Sequence, residues 1–305
     1  MSALLIALLI LLYTLQSFLC KLYTDKYPGD DDMASSVFTV VSGLTVALVS
    51  FGFAGFSFTV HPLTALLAVL NAIALYGYNF CIIKASQTGP YSILMVFSIA
   101  GAIVIPSIVD CIFFDGTLSV IQIVAVLVIF ASVYMMSKKK EDAGLDKAKA
   151  APFFVACTFL AICNGIYGTF INVQQQLTGE AQKEAMVALM FLCAALISVI
   201  TTLPRKGKKF ISAFRQTRAS CVYLIACSLV SALAINVMVL VLPLVNLTVL
   251  YTFDNSGVML LSVFASWLFF KEKLSALNII GCLTMCAGLI AVTIGCRVIV
   301  NNCLL

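Results

Sequence analysis

The sequence predicts an all-α membrane protein with ten transmembrane helices arranged as two inverted five-helix repeats. Three observations predict this fold: an apolar composition, ten apolar stretches of membrane-spanning length, and an internal repeat. Apolar residues make up 62% of the 305-residue chain, where globular domains have roughly 45–50%. Charged residues make up 10%, where a soluble surface needs roughly a quarter. Such a chain cannot cover its apolar surface in water.

A transmembrane helix needs roughly 20 apolar residues, because each residue adds about 1.5 Å and the hydrocarbon core is about 30 Å thick. The first stretch has no basic residue before it and no small-residue cleavage site, so we expect a helix that is retained rather than a signal peptide. The ten predicted segments are 3–20, 33–56, 63–83, 91–113, 118–137, 151–172, 185–204, 219–241, 246–270 and 275–297.

The connections between segments, here called links and numbered by the segment they follow, contain turn-forming residues such as His61-Pro62 and Gly89-Pro90. The longest polar link, 138–150, lies near mid-chain. It is predicted to be a cytoplasmic linker that joins a first five-helix repeat at 1–137 to a second at 151–305.

Basic residues predict the orientation, because Lys and Arg near segment ends favour the cytoplasm. The odd-numbered links hold sixteen of the 18 Lys and Arg residues, and only Lys183 and Arg297 lie elsewhere. We therefore expect a multi-pass protein of the cell membrane, with the odd links in the cytoplasm and both termini outside it.

An internal repeat appears when the chain is compared with itself at an offset of 156 residues, which places 89–133 over 245–289 without a gap. The pair Gly101 and Gly257 is identical, and FFxxxLS occurs at 113–119 and 269–275. The two copies begin five membrane crossings apart. Because this number is odd, the second copy is inserted upside down relative to the first. Inverted repeats of this kind build transporters that open alternately to either face.

The second copy carries the residues of a family resemblance. The string FFKEKLSALNIIGCLTMCAGLIAVTIG at 269–295, preceded by LYTFDNSGVMLLSVFASWL at 250–268, resembles the closing helix pair of EamA-type transporters in the drug/metabolite transporter superfamily. The resemblance extends over the ten segments, the duplication and the length. It implies a transporter built from two five-helix repeats.

The first copy departs from the family pattern, because Gly116 stands where the link has its acidic residue and Asp115 lies one place early. In the second copy the acidic residue is Glu272. We expect Glu272 to stabilise the start of the tenth helix electrostatically, with Ser275 as its N-cap.

Several classes of function are excluded by the sequence. The basic residues lie in short runs between apolar stretches, which argues against nucleic-acid binding. The 12 cysteines include no CxxC pair, and one His is present, so no metal or cofactor is expected. We interpret the cysteines as small residues facing the core or lipid.

Asp254 is the one carboxylate near mid-membrane, where an ionisable group costs roughly 2.5–3.5 kcal/mol. It belongs to a polar stripe of the ninth segment with Thr248, Tyr251, Asn255, Ser262 and Ser266. The fourth segment carries Ser92, Ser98 and Asp110 on the corresponding face, so the two surfaces are candidates for the lining of a cavity between the halves.

Amides and tyrosines in other segments extend this candidate cavity, although each amide is as well explained by hydrogen bonds that hold helices together. The run Gln174–Gln176 is expected to be solvated beyond the sixth segment. The predicted substrate-binding residues are Asn71, Tyr78, Asn79, Ser98, Asn164, Tyr167, Asn172, Asn236, Tyr251, Asp254 and Asn255.

The function predicted is secondary transport, as importer or exporter, of a small polar or amphipathic metabolite by alternating access. An enzyme is disfavoured, because His61 lies alone in a link and Asp254 has no acidic neighbour on its face. A receptor, scaffold or channel remains the alternative. The expected partners are the small-molecule substrate and the lipid bilayer, and the chain is expected to be a monomer or homodimer.

Asp254 is also predicted to couple transport to protons. Desolvation disfavours the charged carboxylate, so it is expected to exchange protons near neutral pH. Tyr251 and Asn255 are expected to hold the substrate beside it. The alternative is a structural role, in which Asp254 forms a hydrogen bond with an Asn or Ser of a neighbouring helix.

Overall fold

A computed structural model describes residues 2–56, 59–113, 120–138, 147–179, 182–241, 244, 247–272, 276, 279–288 and 290–291, and every regular element within these ranges is helical. The helices are α1 (Ser2–Lys26), α2 (Asp31–Phe53), α3 (Pro62–Thr88), α4 (Tyr91–Phe113), α5 (Val120–Lys138), α6 (Lys147–Thr178), α7 (Lys183–Gln216), α8 (Cys221–Val241), α9 (Leu247–Phe269) and α10, described over Ile279–Gly288.

Six of the described helices are long and apolar enough to cross a membrane, namely α1, α2, α3, α6, α7 and α8. Shorter apolar stretches lie in α4, α9 and α10. Helices satisfy their own backbone hydrogen bonds, which is the condition for crossing a hydrocarbon layer that offers none. The chain therefore has the architecture of a multi-pass helical membrane protein.

Several helices are longer than the sequence predicts. Segments predicted to end at residues 20, 83 and 204 continue to Lys26, Thr88 and Gln216. Hydropathy detects the part of a helix that matches the hydrocarbon core, whereas polar residues at its ends still favour helical backbone. The predicted linker 138–150 is shorter for the same reason, because α6 already begins at Lys147.

The glutamine run Gln174–Gln176 was expected to be solvated beyond the sixth segment, and this prediction is wrong for its first residue. The run lies inside α6, and Gln174 is fully buried. Its Nε2 donates hydrogen bonds to Thr178 Oγ1 at 2.8 Å and to the Gly179 carbonyl at 3.4 Å. The continuation of α6 beyond the predicted end turns this side chain inward.

Hydrogen bonds between helix ends show how the helices alternate in direction. At one end of the bundle, Lys21 near the end of α1 donates to the Ser86 carbonyl of α3. Lys206 of α7 pairs with Asp32 at 3.1 Å, next to the link between α1 and α2. This end is called the basic end below.

The opposite end joins the remaining links in the same way. The His61 amide, before α3, donates to Gln182 Oε1 at 2.9 Å, and Gln182 precedes α7. Lys183 Nζ donates to the Val239 carbonyl near the end of α8 at 3.4 Å. Links 1, 3 and 7 thus lie at the basic end and links 2, 6 and 8 at the other, as alternate crossings require.

Two clusters of buried apolar residues fill the bundle. One includes Tyr23, Ile83 and Phe210, which lie toward the basic end, and the other includes Leu67 and Met186 toward the opposite end. Tyr13 of α1 and Tyr78 of α3 pack against both clusters and mark the level at which the clusters meet.

The α4 and α6 backbones cross in close contact. A Cβ added at Gly101 would overlap the Ala161 carbonyl group, and one at Gly165 would overlap the Gly101 carbonyl oxygen. Small residues let helix backbones approach in membranes, where van der Waals packing drives association. These two glycines therefore fix the position of α4 on α6.

We predict that Gly165→Ala destabilises the protein, because the methyl group must displace the α4 backbone, and overpacking of this kind costs about 1–3 kcal/mol. Gly168→Ala is the matched control on the same helix, since an added Cβ meets no atom within 4 Å among the described residues. Thermal unfolding in detergent should show a lower Tm for Gly165→Ala and an unchanged or higher Tm for Gly168→Ala. Equal Tm values would contradict the close crossing.

Candidate functional site

Five predicted binding residues come together where α3, α4 and α6 meet. Asn164 Nδ2 donates to the Ser98 carbonyl at 2.9 Å and to Ser98 Oγ at 3.0 Å. The Tyr78 hydroxyl lies within interaction distance of the Ser98 side chain. The ring of Tyr78 stacks on Tyr167, with 6.5 Å between centroids and 18° between planes.

Asn71 completes this group, which is called the α3–α6 cluster below (Asn71, Tyr78, Ser98, Asn164 and Tyr167). It is fully buried, and its Nδ2 donates to the Tyr167 carbonyl at 3.1 Å and to Met190 Sδ at 3.3 Å. Its Oδ1 is buried and has no hydrogen-bond partner among the described residues. An unpaired acceptor at this depth is expensive unless a ligand or water donates to it.

The other predicted amides lie on α3, α6, α8 and α9. Asn236 lies between α8 and α2, where its Nδ2 donates to Ser50 Oγ at 3.0 Å and to the Ala232 carbonyl at 2.8 Å. Asn79 is buried in α3. Asn172 is half-buried in α6 and has an interaction partner.

The polar stripe of α9 faces the interior, as predicted. Ser262 and Ser266 are fully buried, whereas Phe253, Leu260 and Phe264 on the other faces are exposed. The Tyr91 hydroxyl of α4 donates to Ser262 Oγ at 3.4 Å, so the fourth and ninth helices face each other through this stripe. The side chains of Thr248, Tyr251 and Asp110 lie outside the described residues.

Asp254 is 7% exposed within α9. Its Oδ1 is buried and accepts no hydrogen bond from the described residues. Asn255 beside it is half-buried and has an interaction partner. A carboxylate oxygen that is both buried and unpaired is available to a proton or to a donor group of a ligand.

The hydrogen bonds of the predicted amides cross between the two halves of the chain. Asn71 and Ser98 in the first half contact α6 in the second, and Asn236 in the second half contacts α2 in the first. The sequence did not predict other hydrogen bonds between the halves, such as the one between Ser36 Oγ and Thr202 Oγ1 at 2.9 Å. Serine and threonine in apolar helices are too common to single these out.

Tyr13 and Gln16 of α1 are among the amides and tyrosines predicted to extend the candidate cavity, although they are not among the predicted substrate-binding residues. The Tyr13 hydroxyl donates to Met238 Sδ of α8 at 3.0 Å. Gln16 Oε1 is buried without a partner among the described residues. Both are polar side chains in the middle of an apolar helix, and this is the sequence feature that marks them as candidates.

Glu272 forms a contact that the sequence did not predict. It was expected to stabilise the tenth helix, but its described hydrogen bonds go to the start of α4. Its Oε1 accepts from the Tyr91 amide at 2.6 Å, and its Oε2 accepts from the Ser92 amide at 3.2 Å and the Ser92 hydroxyl at 2.8 Å. Pro90 precedes α4 and has no capping side chain, so a carboxylate from link 9 takes that role. Ser275 lies outside the described residues.

Metal-binding groups do not converge in the described part of the chain, where no three His, Cys, Asp or Glu residues share a site. The nine described cysteines are free and are buried or half-buried. They pack in the helical core, as their positions in apolar segments predict.

Comparison with known proteins adds information on the fold. No family model matches the chain, and no curated protein matches its sequence. Among solved structures, 28 chains match. One is a crystal structure described simply as that of a protein, with 13% sequence identity, a TM-score of 0.56 and coverage of 98% of both chains. The fold therefore occurs in a solved protein of similar length.

We predict that Glu272→Ala lowers the Tm, because it removes three hydrogen bonds from the first turn of α4. Charge-assisted hydrogen bonds of this kind contribute about 1.5–3 kcal/mol together with the helix dipole. Lys271→Gly is the control, because Lys271 is exposed and has a φ of 52°, which glycine adopts without strain.

A double-mutant cycle with Ser92→Ala separates this contact from other effects. Glu272→Ala should lose part of its effect when Ser92 is already alanine. Additive changes in the free energy of unfolding, or a Glu272→Ala Tm equal to that of Lys271→Gly, would show that the α4 cap does not stabilise the fold.

Proposed function

We propose that the protein is a secondary transporter of the EamA-type branch of the drug/metabolite transporter superfamily. In this proposal two inverted five-helix repeats move a small polar or amphipathic metabolite across the cell membrane by alternating access. The observation that carries the proposal is the pattern of helix contacts. The resemblance of residues 250–295 to the closing helix pair of EamA-type transporters supports the proposed family.

The most extensive helix contacts are preserved when each helix is replaced by the helix five places away. The α1–α8 contact becomes α6–α3, the α1–α9 contact becomes α6–α4, and the α2–α8 contact becomes α7–α3; all of these pairs are in contact. The α2–α7 and α4–α9 contacts map onto themselves. A pattern of this kind is what a duplicated five-helix unit produces, and it supports the two-repeat architecture.

Helix bounds and glycines agree with the same duplication. The bounds Tyr91–Phe113 and Leu247–Phe269 coincide at the offset of 156 residues, and both helices have 23 residues. Gly101 lies where α4 crosses α6, and its counterpart Gly257 lies where α9 meets Ile10 of α1. Equivalent glycines at equivalent crossings support a common origin for the two halves.

Alternation of the described helices supports an inverted arrangement. Each proposed repeat has five helices, so the second begins on the side opposite the first. The basic end collects links 1, 3 and 7, which contain basic residues, and we propose that this end faces the cytoplasm. Both termini would then lie outside it.

The polar residues between the halves are the proposed route of the substrate. The α3–α6 cluster offers two tyrosine rings, amide and hydroxyl groups, and the unpaired Oδ1 of Asn71. Tyr78 packs against both apolar clusters and so lies at the level where they meet. A site at such a level suits alternating access, because either end can then open to it. We propose that Asp254, Asn255 and Tyr251 extend this site from α9.

Transport is tested by finding a ligand and then following its movement. A thermal-shift screen of the purified protein against metabolites should identify compounds that raise the Tm, because ligand binding stabilises the native state. The same compound should show saturable counterflow in proteoliposomes and none in protein-free liposomes. Steady ion conductance in planar bilayers without counterflow would instead indicate a channel.

Asp254→Asn is predicted to abolish accumulation driven by a pH gradient while exchange of the substrate continues. The change keeps the size of the side chain and removes the proton-carrying oxygen, which is buried and unpaired in α9. Asp25→Asn is the control, because Asp25 lies at the end of α1, outside the candidate cavity, and its side chain is 40% exposed. Undiminished pH-driven uptake by Asp254→Asn would rule out proton coupling through this residue.

A further inference from the structure

The part of α7 that follows Pro204 differs from the rest of the helix. The backbone breaks at Lys206, which has φ −139° and ψ 33°, so α7 consists of two helices joined at a kink. The part from Lys183 to Pro204 has about 22 residues and spans about 33 Å, enough to cross the hydrocarbon core. The second part, Gly207–Gln216, therefore lies beyond the core at the basic end.

One face of this second part is fixed to the bundle. Phe210, Ala213 and the following Thr217 are buried, and the first two belong to the apolar cluster near the basic end. Lys206 at the kink pairs with Asp32 at 3.1 Å and Asp30 at 3.7 Å. The segment is thus a rigid part of the protein with a defined orientation.

A neighbouring face exposes large apolar side chains. Ile211 is 68% exposed and Phe214 is 40% exposed, and their spacing of three residues places them side by side on the helix. The Phe210 ring packs edge-on against Phe214, with 5.2 Å between centroids, which holds the exposed ring in place. Both side chains nevertheless keep a large part of their surface exposed.

Basic residues flank this apolar pair. Residues 205–218 contain six Lys and Arg residues and no Asp or Glu. Lys206 is the member with an ion pair in the described structure, and the other five are exposed. Helical spacing places Lys208 and Arg215 next to Ile211 and Phe214, on the side away from the core. The remaining basic residues are Arg205, Lys209 and Arg218.

We propose that this segment is an interfacial helix that binds anionic phospholipids. The surface consists of Lys208, Ile211, Phe214, Arg215 and Arg218, and is called the lipid-binding surface here. Ile211 and Phe214 enter the boundary between head groups and acyl chains, while the basic side chains contact phosphate groups. Charge alone would suit any polyanion, but the exposed apolar pair beside it favours a membrane surface.

Melting of the full-length protein in nanodiscs tests the proposal. The Tm should be higher in mixed phosphatidylcholine and phosphatidylglycerol than in phosphatidylcholine alone, and the difference should shrink as salt is added. The variant Lys208→Gln/Arg215→Gln/Arg218→Gln should lose this rise in Tm, because three fewer charges weaken binding to anionic lipid by on the order of 100-fold.

The control variant Lys138→Gln/Lys139→Gln/Lys140→Gln removes the same number of charges from the link after α5 and should keep the rise. A second variant, Ile211→Ser/Phe214→Ser, keeps every charge and should reduce the rise in Tm, because it removes the exposed apolar pair. It also removes the ring contact between Phe210 and Phe214, so its rise is measured relative to its own Tm in phosphatidylcholine alone.

Three outcomes would overturn the proposal. Equal losses of the rise in Tm in the two triple variants that remove charge would show a general charge effect. If the Tm of Ile211→Ser/Phe214→Ser rises in the anionic nanodisc as much as that of the unchanged protein, the apolar pair does not contribute to lipid binding. Stabilisation by soluble glycerophosphoglycerol or heparin to the same extent as by the anionic nanodisc would identify a general anion site instead.

Discussion

Hydrocarbon gives polar groups no hydrogen-bond partner, and this constraint governs the structure of the protein. Backbone groups satisfy this constraint by forming hydrogen bonds within helices, and polar side chains satisfy it by forming hydrogen bonds with groups on neighbouring helices. Asn71, Asn164 and Asn236 each donate a hydrogen bond that joins one half of the chain to the other. The interface between halves is therefore where the polar atoms of the described helices collect, and the few that remain unpaired there, such as Asp254 Oδ1, are the candidates for binding.

The two halves carry similar sequence patterns but pack differently. Gly101 brings the α4 backbone directly onto the Ala161 carbonyl of α6, whereas its counterpart Gly257 faces the side chain of Ile10. A backbone-to-backbone crossing is tight and rigid, and a crossing that contains a branched side chain can adjust by small shifts. The two crossings therefore differ in what fills them, a backbone carbonyl group in one and a branched side chain in the other.

Charged residues have two roles at the basic end of the bundle. They make the two ends of the bundle unequal in charge, which is the basis of the proposed orientation, and they join helix ends to one another. Glu272 joins link 9 to α4, and Lys206 joins the kink of α7 to Asp30 and Asp32. Because Gly116 occupies the position that corresponds to Glu272, the sequence provides no equivalent carboxylate for the other half.

The sequence by itself determined the helical membrane architecture, the positions of the six long apolar helices and the inward direction of Asp254, Ser262 and Ser266 in α9. These features follow from apolar length and helical periodicity, which are local properties. Only the tertiary structure decided where each helix ends, as Gln174 in α6 and the kink at Lys206 illustrate. It also decided the partners of polar groups: Glu272 caps α4, 180 residues away from Ser92 in sequence, and Asn236 finds Ser50. Such pairings depend on which helices pack together, and the spacing of residues along the chain does not specify this.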